Sequence, residues 1–283
     1  MNHRTHAPRQ GRRVPLVPAA SLLVCVGCSG TIERTTGPDI EAVSGNLDFV
    51  YAATDTLFAR HVTADRGLVD YESMYRDPLL ERVRDSIAAF DLSSVDTPED
   101  SLAFWINAYN ILVIYYLRDF GFTPQDEQGF PLFSKKMTIA GEWLTLDELE
   151  KDTPDHIKRF NEPRTHFVLV CAALSCPPLM NHAYRGDSLH RQLDRRTHRF
   201  VNDSRYNSLG PDAPVNVSEV FRWYAADFEG FVRDTTVAML LREKAGGDVA
   251  DFIASYLDDP AQRNAVRQGP IGYTTYDWTV NKQ

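Results

Sequence analysis

The segment from Leu102 to Tyr116 constrains the fold of this 283-residue chain most, because it is apolar on nearly every side. A helix without a polar face belongs inside a core, so the other elements must pack around it. Around it, hydrophobic spacing predicts helices at 46–62, 79–90, 189–202, 235–244 and 249–256, and a hairpin at 137–146. We therefore expect a helix-rich α+β fold with a small, mainly antiparallel sheet, as one globular domain over residues 46–283.

Two asparagines interrupt the apolar helix. Asn107 and Asn110 are three residues apart and share one helix face. A buried asparagine without partners costs about 1–3 kcal/mol, so both side chains must be hydrogen-bonded. Either each asparagine fixes a nearby loop backbone, or the pair lines a cleft and orients a catalytic group.

The stretch 166–179 combines an imidazole and two thiols. The run from His166 to Cys171 is apolar and rich in β-branched residues, which predicts a short buried strand. Two prolines after Cys176 end any pairing beyond that loop. Strand alternation directs Cys171 into the packing and leaves Cys176 in the loop as the reactive thiol.

These residues predict a cysteine-based catalytic site. Cys176 is the candidate nucleophile, His166 its base, and Asn107 the group that orients the ring. The alternatives are a disulfide between Cys171 and Cys176 or a plain buried thiol, since four cysteines occur and two belong to the export segment. The C-x4-C spacing lacks a second cysteine pair, so we predict no metal site and no cofactor.

Residues 1–27 have the layout of a secretory signal peptide, with four arginines, no acid and then an apolar run too short to span a bilayer comfortably. A small residue before Cys28 resembles a bacterial lipoprotein processing site and predicts a lipid on Cys28. Cys25 stands where such sites usually carry leucine, so ordinary signal cleavage is the alternative. Residues 28–45 would be a flexible tether.

The charge balance limits the classes of partner. Removal of residues 1–27 takes away four arginines and no acid, so the net charge changes from −9 to −13. So acidic a domain is a poor candidate for binding nucleic acid. We expect contact with a membrane only through the lipid, and the lipoprotein pattern predicts the periplasmic face of the outer membrane. A small molecule or a peptide of the envelope is the expected ligand, and the sequence names no protein partner.

Several segments together resemble the domain of unknown function 547 family. The resemblance implies that Asn107, Tyr109, Asn110, His166, Ser175, Cys176 and Pro177 occupy its recurrent motif positions. Lys151 stands where a histidine is common in that family. A weaker likeness is to papain-like and transglutaminase-like folds. The matching segments are residues 68–71, 103–114, 166–179, 217–224 and 276–278.

Two functional hypotheses follow. The first is a thiol-dependent acyl or amide hydrolase or transferase, in which Cys176, His166 and Asn107 act, with Asn110, Tyr109 and Ser175 in the pocket. Asp277 lies between two aromatic residues and is expected to point inward as a partner for an arginine or a histidine. The second is a non-catalytic module of the cell envelope that binds a ligand or a protein.

Overall fold

The structure is a computed structural model that describes residues 46–123, 131–152, 156–209, 214–231 and 247–283. The signal peptide predicted at 1–27, the tether at 28–45 with Cys28, and the helix predicted at 235–244 lie outside these ranges. The described residues belong to one compact unit.

The fold is helix-rich, as the sequence predicts. In six of the described α-helices an Asn, Asp or Thr side chain at the N-cap accepts a backbone N–H bond, which is the usual chemistry of a helix start. None of the described helices has the length and hydropathy of a membrane span. The helices are α1 (Leu47–His61), α2 (Tyr71–Arg76), α3 (Pro78–Ala88), α4 (Pro98–Leu117), α5 (Leu189–Val201), α6 (Val220–Trp223), α7 (Ala225–Phe228), α8 (Val249–Tyr256) and α9 (Pro260–Gln268).

Helix α4 is the centre of the core. The side chain of Thr97 accepts a hydrogen bond from the backbone N–H of Asp100 at 3.0 Å, and Pro98 supplies the first turn, so the helix begins where the sequence indicates. From Ser101 to Tyr115 every residue is buried. Helices α1 and α3 pack against α4.

The strands are short. β1 (Met137–Ile139) and β2 (Glu142–Leu144) form the predicted antiparallel hairpin, and Ala140 and Gly141 adopt positive φ at its turn. β3 (Asn216–Val217) pairs in parallel with β4 (Gly272–Tyr273). The α+β class is confirmed, with the difference that one of these two small sheets is parallel.

The strand predicted from His166 to Cys171 is wrong. Pro163–Phe167 is a 3-10 helix, begun by the side chain of Glu162 on the N–H of Arg164. The residues after it are buried under α4 without a neighbouring strand, because the Asn110 amide takes the backbone bonds that a strand would have made. An apolar run indicates burial, and here the buried segment does not pair with a neighbouring strand.

Two hydrophobic clusters meet at this segment. Val168 packs in the cluster built on α1 to α4, whereas Phe167 packs among the aromatic rings of α5 to α8. His166 immediately precedes this division, so its ring lies where the two clusters adjoin. That position places it at a cavity rather than inside either core.

Candidate functional site

A cavity of about 590 Å³ brings together much of the predicted chemistry. Elements distant in sequence form its walls: α4, the segment after β2, the loop after the 3-10 helix, α6 and the C-terminal residues. The wall residues that bear on its chemistry are Tyr109, Asp147, Glu150, Lys151, His166, Cys171, Cys176, Trp223, Tyr224, Tyr276 and Trp278.

Cys171 and Cys176 form a disulfide in the wall of this cavity, with a sulfur–sulfur distance of 2.08 Å. A sulfur in a disulfide is not a thiolate, so Cys176 cannot act as the predicted nucleophile in this state of the protein. The prediction from strand alternation that Cys171 is buried in the core is also wrong. Cys171 is partly exposed, whereas Cys176 is only 4% exposed.

Hydrogen-bond donors surround the buried sulfur. The Cys171 backbone N–H and the Tyr276 hydroxyl each lie 3.0 Å from Cys176 Sγ and donate to it. The same hydroxyl is 3.2 Å from Cys171 Sγ. Burial, with added contributions from Tyr206 and Glu150, raises the pKa of Tyr276 far above its ordinary value. The phenol therefore stays protonated and remains a donor.

His166 is held in place by an acid and a ring. Its Nε2 lies 2.8 Å from Asp227 Oδ2, and its ring stacks on Tyr224 with centroids 3.7 Å apart. The side chain is 8% exposed, and its buried Nδ1 has no hydrogen-bond partner among the described residues. With the Nε2 proton directed at Asp227, Nδ1 carries a lone pair that can accept a proton.

Glu150 is held by two phenols. Tyr109 donates to Oε2 at 3.0 Å, and Tyr224 donates to Oε1 at 2.7 Å. Burial, reinforced by the charge of Glu150, raises the pKa of both tyrosines well above the ordinary value. Tyr224 thus links the carboxylate to the imidazole, since its ring stacks on His166.

Asn107 and Asn110 do not reach the imidazole. Asn107 donates to the carbonyl of Tyr184 at 2.8 Å and accepts from the Tyr184 N–H at 2.9 Å. Asn110 does the same for Val168 O and Val170 N, both at 2.9 Å. Both side chains fix loop backbone, which is the first of the two alternatives raised by the sequence. The group that orients His166 is Asp227.

Ser175 and Asp277 lie behind the disulfide, on a second cavity of about 290 Å³ that shares Cys176 with the first. The Ser175 Oγ accepts from the Asp277 backbone N–H at 2.8 Å. Asp277 is exposed, and hydrogen bonds from the Thr279 side chain and from its backbone N–H lower the pKa of the carboxyl group. The expectation that Asp277 points inward to an arginine or histidine is therefore wrong.

Sequence reasoning missed Glu150, Tyr224 and Tyr276, which line the cavity, and Asp227, which holds His166. Two of them stood inside recognised segments, because Tyr224 ends 217–224 and Tyr276 begins 276–278. No spacing rule links them to His166, since the chain separations are large. Among the described residues no group of three or more His, Cys, Asp or Glu could hold a metal ion.

Residues 92–201 match the model of a family described as "Protein of unknown function, DUF547". This part of the chain is therefore similar to that family. The matched range contains α4, His166 and both cysteines of the disulfide, whereas Tyr224, Asp227 and Tyr276 follow it. No curated protein and no solved structure matches the chain.

Proposed function

We propose that this protein carries out thiol–disulfide exchange through the Cys171–Cys176 pair. The observation that supports this most is the position of the disulfide in a cavity wall, with a phenol and an amide directed at the buried sulfur. A disulfide that only staples a loop needs neither access nor a donor for a departing thiolate. Both features favour exchange, because its rate depends on access and on the leaving thiol.

The step begins when a thiolate enters the cavity and attacks Cys171 Sγ. Cys171 is the more exposed of the two cysteines. A bond forms between the incoming sulfur and Cys171 Sγ, the Cys171–Cys176 bond breaks, and its electron pair goes to Cys176 Sγ. The products are a mixed disulfide on Cys171 and a thiolate on Cys176. The Tyr276 hydroxyl and the Cys171 N–H stabilise that thiolate.

The His166–Asp227 pair supplies the proton transfer. Asp227 holds Nε2, and the buried Nδ1 has no hydrogen-bond partner among the described residues. An incoming thiol gives its proton to Nδ1 and becomes the attacking thiolate. The carboxylate stabilises the imidazolium that results.

Two variants that each keep one cysteine of the pair test the proposal, and both also carry serine in place of Cys25 and Cys28. In Cys176→Ser, an aromatic disulfide reagent is expected to form a mixed disulfide on Cys171 under native conditions, whereas Cys171→Ser should react more slowly through its buried Cys176. Absorbance of the released thiol gives the rates, and mass spectrometry gives the site. If neither variant reacts until denaturant is added, the disulfide is structural and the domain is a binding module.

A second candidate is the acyl or amide hydrolase or transferase predicted from the sequence, acting in a reduced chain. The observation that favours it is the oriented imidazole with an unpartnered Nδ1 on the same cavity as Cys176. The reduced protein should then be acylated on a cysteine by a small activated ester and should turn over. His166→Gln is expected to abolish turnover, and persistence of turnover in that variant contradicts this candidate.

We also propose that the chain is exported and lipid-anchored through Cys28 at the periplasmic face of a bacterial outer membrane. The sequence of residues 1–28 supports this, and disulfides persist in oxidising compartments. Expressed in a bacterial host with labelled fatty acid, the chain should incorporate label, and Cys28→Ser should not. Equal labelling of both proteins contradicts the anchor.

A further inference from the structure

The position of Glu150 bears on which thiols the cavity accepts. Glu150 lines the main cavity and also an adjoining one of about 600 Å³. Lys151, His166, Trp223 and Tyr224 line both cavities as well, so the carboxylate and the imidazole share the region where the two cavities meet.

The lining of the main cavity has two carboxylates, Asp147 and Glu150, and one ammonium, Lys151. The Glu150 oxygens are each held by a phenol, and phenols bring no positive charge. The other carboxylate of the main cavity, Asp147, lies 2.7 Å from the ammonium of Lys151, so those two charges offset each other. Glu150 is left as the charge that a ligand in the cavity experiences most directly.

Aromatic rings complete this environment. Trp223, Tyr276 and Trp278 form a cluster on the cavity wall, with ring centroids 4.5 to 5.9 Å apart. Trp223 is 44% exposed, although large apolar side chains normally avoid water. Aromatic faces beside a carboxylate are the surroundings that an organic cation prefers.

We infer that the thiol that exchanges with the Cys171–Cys176 disulfide carries an ammonium group, which binds at Glu150. The inference rests on the exchange reaction proposed above. The two subsites share one cavity, because Glu150, Tyr276 and both cysteines line it and the Tyr276 hydroxyl contacts both sulfurs. A short aminothiol therefore has its cation at the carboxylate while its sulfur reaches Cys171.

Three thiols of similar size and different charge test the inference on the full chain: cysteamine, 2-mercaptoethanol and 3-mercaptopropionate. Reduction of the disulfide is followed by acid quenching, alkylation and mass spectrometry, at equal thiolate concentrations. Cysteamine should react roughly tenfold faster than 2-mercaptoethanol, and 3-mercaptopropionate should be slowest. Added salt should reduce these differences, because it screens the charge.

Variants test whether the dependence of the rate on thiol charge comes from the Glu150 carboxylate. Glu150→Gln should bring the three rates together, while Glu72→Gln, an exposed residue of α2 that removes the same charge, should leave the order unchanged. If the wild-type rates do not depend on thiol charge, or if Glu150→Gln keeps the order, the inference is wrong and the exchange reaction still holds. If no thiol reduces the folded protein, the proposed function itself is wrong.

Discussion

The buried amides of α4 and the polar groups of the cavity differ in how their hydrogen bonds are satisfied. Asn107 and Asn110 each give and receive one bond with backbone, at 2.8 to 2.9 Å. In the cavity, the Nδ1 of His166 has no partner among the described residues. The difference indicates that the amides are architectural and that the cavity retains capacity for chemistry.

The largest expected effect comes from removing an architectural amide. Asn110→Ala leaves Val168 O and Val170 N buried without their partners, which should lower the free energy of unfolding by about 3 kcal/mol. The control Asn264→Ala changes an exposed asparagine of α9 and should stay within about 0.5 kcal/mol of the wild type. Chemical denaturation measures both, and equal effects would remove the distinction between the two regions.

Reduction of the disulfide should have a smaller effect on stability. The bond closes a loop with a sequence separation of 5, so breaking it should lower the free energy of unfolding by about 2 kcal/mol on chain-entropy grounds. Thermal unfolding with and without reductant measures this, with Cys171→Ser/Cys176→Ser as the reference that reductant cannot change. A reduced protein that fails to fold would mean that the disulfide is architectural as well.

The stability of the folded protein should fall at alkaline pH because of Tyr109, the buried phenol that donates to Glu150. Burial raises the pKa of Tyr109 in the folded protein above the unfolded value near 10, so its contribution is complete below pH 10. Above that pH the unfolded chain loses a proton that the folded chain keeps, and stability falls by up to about 1.4 kcal/mol per pH unit.

Tyr109→Phe removes this source and should flatten the decline above pH 10. Tyr273→Phe, which changes an exposed tyrosine, is the control and should not. Denaturation midpoints measured from pH 8 to 11 compare the three proteins. An unchanged slope in Tyr109→Phe would show that this phenol does not resist ionisation in the fold.

The smallest expected effect is on the exchange rate. Tyr276→Phe removes the hydroxyl that donates to Cys176 Sγ, so the departing thiolate loses one hydrogen bond worth about 1 kcal/mol. Reduction by cysteamine should slow about fivefold, with Tyr273→Phe again unaffected. A rate equal to wild type would mean that the phenol only packs against the disulfide.

The sequence predicted the core better than the site. The apolar helix, its Thr97 cap and the hairpin at Ala140 are local patterns, and all three are present. The strand from His166 failed because a side-chain amide from α4, far along the chain, took its backbone bonds. Local periodicity holds no information about such a partner.

The same limit explains which site residues were found. His166 and Cys176 share a short segment and could be named together, and both line the cavity. Asp227 lies 61 residues from His166, so nothing local could select it over Asn107 as the orienting group. Tyr276, 100 residues from Cys176, was visible only as part of a recognised segment.

The central claim is that the Cys171–Cys176 bond is reactive in the folded protein, and its reduction potential tests this most directly. The full chain is equilibrated with buffers that contain reduced and oxidised glutathione in graded ratios. It is then quenched with acid, alkylated and analysed by mass spectrometry. We predict a potential above about −300 mV, in the range of exchanging pairs rather than structural disulfides. A potential below that value, or a bond that is reduced only in denaturant, would contradict the account.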